Sequence, residues 1–140
     1  VDYRKEKNFL IEIGCKDLPH TGRTLYDHLI GTADKLIEYK RPDYEVKAAL
    51  FHSIYGTEIY QLSKGLHITR DSVRKLIGEK AENLAHIFCN LTNRTEKIIK
   101  GEEIEQEYIY SLRWIEYSNL LDQNKYNRNL IPLRMQLIGI

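Results

Sequence analysis

Cysteine is almost missing from this chain, which carries only Cys15 and Cys89 in 140 residues. Two cysteines cannot build the disulfide framework of a small secreted scaffold, so a reducing, cytoplasmic setting is expected. No apolar run reaches the length of a membrane span and no signal peptide is visible, so no membrane partner is expected. An excess of one charge is also lacking. The formal net charge is +1, and bases are interleaved with acids. Nothing in that balance draws the chain to nucleic acid or to an anionic surface. No segment alternates cleanly with period two, and there are no repeats or low-complexity linkers. Phenylalanine is scarce, with three residues against ten tyrosines, so much of the aromatic area carries a hydroxyl.

What is present is ordinary for a globular protein: 42% hydrophobic and 29% charged residues. A chain of this length fits one domain with a real core. The pattern of apolar residues predicts an all-α domain over residues 1–140, of six to eight helices. A first helix is expected over 3–13. Thr24 caps a second, with Asp27 three places on, as in a capping box. Its stripe is Leu25, Leu29, Ile30, Ala33, Leu36 and Ile37. Arg41-Pro42-Asp43 stops it. A core helix is expected over 44–53 and a turn or two over 58–63, with Gly65 and His67 in a loop. Thr69 caps a helix over 70–77, and Gly78 permits another over 80–89. A long helix over 102–121 turns Ile104, Tyr108, Ser111, Leu112, Ile115 and Leu120 inward. Leu133, Leu137 and Ile138 suggest a last one.

The chemistry-bearing residues gather around two histidines. His28 lies on the Thr24-capped helix, and His52 ends the apolar run Ala48-Ala49-Leu50-Phe51-His52. Two histidines at the ends or faces of consecutive helices can converge on one ion or one substrate. Their plain alternative is that of core histidines satisfied by backbone groups. Ser53 is either a small helix-end residue or a hydroxyl on a pocket floor. In His20-Thr21-Gly22-Arg23, Gly22 lets backbone approach a ligand, and Arg23 offers a fork for phosphate or carboxylate. The bland counterpart is a surface loop. The turn Tyr55-Gly56-Thr57-Glu58 lines any pocket at the end of the His52 helix, unless Gly56 is only a cap and Glu58 a solvated acid. Asn119 sits mid-helix despite poor propensity, with Asp122 at i+3. His86 follows Ala85 on an apolar face and reads as a packed core histidine. Trp114 and the tyrosines around it read as helix packing.

The order of these motifs resembles the HD-domain superfamily of all-α metal-dependent phosphohydrolases, some of whose relatives are di-iron oxygenases. The segment Ile68-Thr69-Arg70-Asp71-Ser72-Val73-Arg74-Lys75-Leu76-Ile77-Gly78-Glu79-Lys80-Ala81-Glu82-Asn83-Leu84 is similar to the stretch after the His-Asp motif in alarmone (ppGpp) hydrolases. The likeness covers roughly residues 20–92, about half the chain. It implies a divalent ion held by His28, His52 and a late-helix position that falls on Asn119. It also marks departures. Ser53 replaces the Asp of the His-Asp pair, and Gly56 and Thr57 stand where an acidic pair is expected. Two imidazoles, a hydroxyl and an amide suit Fe, Mn or Zn better than Mg²⁺.

The expectation is a divergent HD-like domain that binds a small anionic ligand such as a nucleotide or another phosphorylated compound. His28, His52 and Asn119 are the candidate metal ligands. Glu58 and Asp122 are the candidate catalytic carboxylates, and His20, Arg23, Ser53, Tyr55 and Thr57 the candidate ligand contacts. The alternatives are a non-catalytic sensing or interaction module on the same fold, and an HD-type iron oxygenase. A homo-oligomer or a larger parent protein fits either.

Overall fold

The computed structural model describes residues 2–56, 68–123 and 128–139. Among these the chain forms eight α-helices: α1 (Arg4–Glu12), α2 (Leu25–Glu38), α3 (Asp43–Leu50), α4 (Arg70–Ile77), α5 (Glu79–Asn90), α6 (Arg94–Lys100), α7 (Gln106–Asp122) and α8 (Leu130–Leu137). The expected all-α domain is present. None of the helices is long and apolar enough to cross a membrane. Cys15 and Cys89 are both free thiols.

Helix α2 forms as its pattern requires. Leu25, His28, Leu29, Thr32, Ala33 and Leu36 are buried, spaced i, i+3, i+4, i+7, i+8 and i+11 along one face. Thr24 caps it by accepting a hydrogen bond from the Asp27 backbone N–H at 3.1 Å. Thr69 caps α4 in a full capping box with Ser72. Helix α2 packs on α3 and α7, and α3 packs on α5. Phe51, Leu50, Leu84, Phe88, Leu112 and Ile115 fill the space between them, fully buried. Each such side chain contributes roughly 1.5–3 kcal/mol of hydrophobic stabilisation. Helix α7 is buried on nearly every side, from Ile109 to Leu120. Its inward positions therefore include Glu116, Ser118 and Asn119 as well as apolar residues.

Several boundaries differ from the sequence expectation. The segment 20–23 is not a loop but part of a two-stranded hairpin, Pro19–His20 paired with Arg23–Thr24. Thr21 and Gly22 both have positive φ at its turn, a hairpin geometry that glycine favours. Strands of two residues are too short to show period-two alternation. Helix α3 ends at Leu50, three residues early, because the Phe51 and His52 amides bond back to Ala48 and Ala49, three residues away. The long helix starts at Gln106, not 102. Gly101 and Glu103 adopt positive φ and separate it from α6, a helix not anticipated over 94–100. The expected turn over 58–63, and Gly65 and His67, lie outside the described residues.

Candidate functional site

Three helices bring His28, His52 and Asn119 together, although α2 and α7 are about ninety residues apart in sequence. His28 is on the inward stripe of α2. His52 is on the turn that leaves α3, and Asn119 is on the inward face of α7. All three are almost fully buried. His28 Nε2 stands 3.2 Å from His52 Nε2 and 2.8 Å from Asn119 Oδ1.

The outer atoms of these side chains fix what the inner ones offer. His52 Nδ1 lies 2.6 Å from the Ala49 carbonyl, which only accepts, so Nδ1 carries the proton. His28 Nδ1 lies 2.6 Å from Asp122 Oδ2 and donates to that carboxylate. Asn119 Nδ2 donates to Glu116 Oε1 at 2.8 Å, which turns Oδ1 toward the histidines. Both Nε2 atoms, when neutral, and Oδ1 therefore present lone pairs to one another. Burial and the charge of His28 push the His52 pKa down to about 3, while the bond to Ala49 pulls the other way. His52 is thus neutral at physiological pH. Asn119 Oδ1 also accepts a long bond from Gln123 Nε2 at 3.5 Å, and the remaining lone pairs that face one another call for a proton or a cation between them. Donors bound to a transition ion at roughly 2.0–2.2 Å stand about 3 Å apart, as these atoms do.

The supports extend outward. Arg23 forms an ion pair with Asp122 Oδ2 and also donates to the Asp122 carbonyl at 3.3 Å. Gly31 makes room for that carboxylate, since a Cβ there would lie 1.8 Å from Asp122 Oδ1. Behind Asn119, Glu116 is fully buried and accepts from Thr95 Oγ1 at 2.7 Å and Arg94 Nε at 3.3 Å. Arg94 stacks over Phe88, whose ring meets His52 edge-on. The Cys89 thiol donates to the His52 carbonyl at 2.9 Å. Burial raises the pKa of that thiol.

The candidate residues divide accordingly. His28, His52 and Asn119 come together, and His20 stacks on His28 with ring centroids 4.3 Å apart. Asp122 faces His28 Nδ1 rather than the shared Nε2 side. Arg23 commits Nη2 to Asp122, and its side chain stays partly exposed. The Ser53 hydroxyl is buried with no partner among the described residues. Tyr55 is drawn elsewhere: its hydroxyl donates to Glu82 at 2.6 Å, in a network with Arg70 and Arg74. Thr57 and Glu58 lie outside the described residues. His86 is half-buried, its pKa lowered by burial and then by Arg70, and it packs edge-on against Tyr55. Sequence reasoning missed Glu116, Gly31 and Arg94. The signal was available in part, because Glu116, Asn119 and Asp122 recur at i, i+3 and i+6 on one face of a mostly apolar helix.

Residues 9–94 match a family of domains of unknown function, DUF6817, and with more than half its length covered the chain belongs to that family. The matched span includes His28 and His52 and ends before Asn119 and Asp122. No curated protein and no solved structure matches the chain.

Proposed function

We propose that this domain is a divergent HD-like module that holds a divalent transition ion, Fe, Mn or Zn, between His28, His52 and Asn119, and that it binds a small phosphorylated anion there. The observation that supports this best is the convergence of three lone-pair atoms, two of them imidazole nitrogens whose other nitrogen is committed as a donor. Imidazole with a carbonyl-type oxygen is a donor set suited to such ions. When bound, the ion supplies Lewis-acid polarisation of a phosphoryl oxygen and lowers the pKa of a coordinated water. The chain's own residues orient and hold. Asp122 keeps the His28 proton on Nδ1, the Ala49 carbonyl does the same for His52, and Glu116 fixes the Asn119 amide. Ser53 brings an uncommitted hydroxyl next to His52.

A non-catalytic ligand-sensing module is the second reading. It is favoured by the turning of both nearby carboxylates away from the Nε2 pair, Asp122 toward Arg23 and Glu116 toward Arg94. A hydrolase needs a positioned base, worth 10²–10⁴-fold in rate. Little alarmone hydrolysis is therefore expected, and Ser53→Asp alone should not restore it.

Metal analysis of protein purified without chelator tests the main proposal, with His52→Ala in parallel. Wild type should carry Fe, Mn or Zn, and the variant should lose it. Equal metal in both, or none in wild type after reconstitution, overturns the assignment and leaves a shared proton as the occupant. Incubation with Mn²⁺ and ppGpp separates the two functional readings. Turnover that vanishes in His52→Ala rules out the module without catalysis.

A further inference from the structure

We infer that the ion at this centre is held only together with an anionic co-ligand, so that metal and phosphate bind as a linked pair. The inference rests on the metal-binding proposal and concerns how the charge of the ion is balanced.

Among the described residues, the atoms that face the shared space are two imidazole nitrogens and one amide oxygen, His28 Nε2, His52 Nε2 and Asn119 Oδ1, with no carboxylate oxygen among them. The carboxylates stand one layer back, and each is already matched. Asp122 pairs with Arg23, and Glu116 pairs with Arg94. Two negative and two positive charges surround the centre before any ion arrives. A divalent ion then brings two uncompensated charges into a site whose nearest residues are almost fully buried, where such charge is expensive. Among the described residues no unmatched carboxylate is left to supply the missing negative charge, and an anion from solution can supply it. Arg23 adds no net positive charge for that anion, because Asp122 already matches the guanidinium. The anion is instead recognised through the ion, by an oxygen donor that occupies the position the chain leaves without a carboxylate. A phosphate or phosphoester dianion balances the charge of one divalent ion.

The coupling is reciprocal: phosphate tightens the ion and the ion tightens phosphate by the same factor. Binding of Mn²⁺ to the wild-type chain, followed by the loss of free-ion electron paramagnetic resonance signal, is the direct test. It is run with and without inorganic phosphate at fixed ionic strength, with perchlorate as the balancing salt. Where the purified protein carries Fe²⁺ or Zn²⁺, that ion is tested by its competition against Mn²⁺ in the same two salts. Phosphate should raise ion affinity about tenfold or more. Equal affinity in phosphate and perchlorate overturns the inference and leaves the metal site standing. No ion binding in either salt removes both.

A second arm moves the charge inward. Asn119→Asp combined with Glu116→Gln exchanges the anionic and neutral members of one hydrogen-bonded pair and puts a carboxylate beside the two Nε2 atoms. In variant protein that melts cooperatively, the dependence of ion binding on phosphate should fall, because one charge of the ion then meets a carboxylate directly. Phosphate dependence as large as that of wild type in the folded variant also overturns the inference.

Discussion

Two buried polar clusters in this domain solve the same problem in opposite ways. Around Glu82, both oxygens of the carboxylate are matched by donors. The fully buried carboxylate takes two bonds from Arg70 at 2.9 Å, one from Tyr55 at 2.6 Å and one from Arg74 at 3.2 Å. Burial alone would raise the Glu82 pKa, but the Arg70 and Tyr55 hydrogen bonds and the charge of Arg70 overcome it and hold it below its ordinary value. Around His28 and His52, acceptors outnumber donors. The carboxylate of the first cluster has its donors in place. The second cluster is complete only with a cation or proton added. A buried polar group with its partners stabilises or specifies a fold, whereas a surplus of one kind marks a place for something to bind. The sequence placed Tyr55 with the histidines, and the structure assigns it to the other cluster.

The largest expected effect breaks the matched cluster. Arg70→Leu strips two charge-assisted bonds from a carboxylate that has no access to water, and should cost about 3 kcal/mol in urea unfolding. A loss well under 1 kcal/mol would show that Arg74 and Tyr55 suffice and that the cluster is not a unit.

Gly31→Ala attacks the support of the unmatched cluster. The added methyl forces the Asp122 carboxylate off His28, and the resulting strain should cost about 2 kcal/mol. Metal affinity should fall roughly 10–100-fold with it, as when a carboxylate behind a ligating histidine is lost. Unchanged affinity in a destabilised variant would remove Asp122 from its positioning role.

Acid separates the clusters more gradually. His52 has a folded pKa of about 3 against an ordinary value of 6.5, so the unfolded chain takes up its proton first. Stability from this group is complete above about pH 6.5 and is lost as pH falls toward 3, by at most about 1.4 kcal/mol per pH unit. Metal-free wild type and His52→Leu, unfolded at pH 7.5, 6 and 5, should diverge in slope, with wild type the steeper. Parallel slopes would contradict a neutral, buried His52.

The smallest effect is the most telling contrast. At pH 7.5 and without metal, His52→Leu should cost under about 1 kcal/mol. It removes one of three competing acceptors, and the Ala49 carbonyl keeps its backbone bond from residue 52. A cost near that of Arg70→Leu would mean that the histidines form a balanced network of their own.

Much of this was legible in the residues themselves. The stripe that carries His28 and the caps at Thr24 and Thr69 follow from local periodicity and short-range hydrogen bonding. Those depend on residues within a few positions of each other, so the sequence by itself determined an all-α domain with His28 turned inward. It did not determine the end of α3 or the break before α7, because backbone turns of one or two residues leave no periodic trace. The orientation of the carboxylates belongs to the tertiary structure alone. Asp122 reaches His28 across 94 positions, and Glu116 accepts from Arg94 across 22. Whether a carboxylate faces the shared Nε2 side or stands behind a histidine depends on differences of a few ångströms between packed helices. A spacing of i+3 puts Asp122 on the right face of α7. Only the close approach over Gly31 decides which nitrogen it meets.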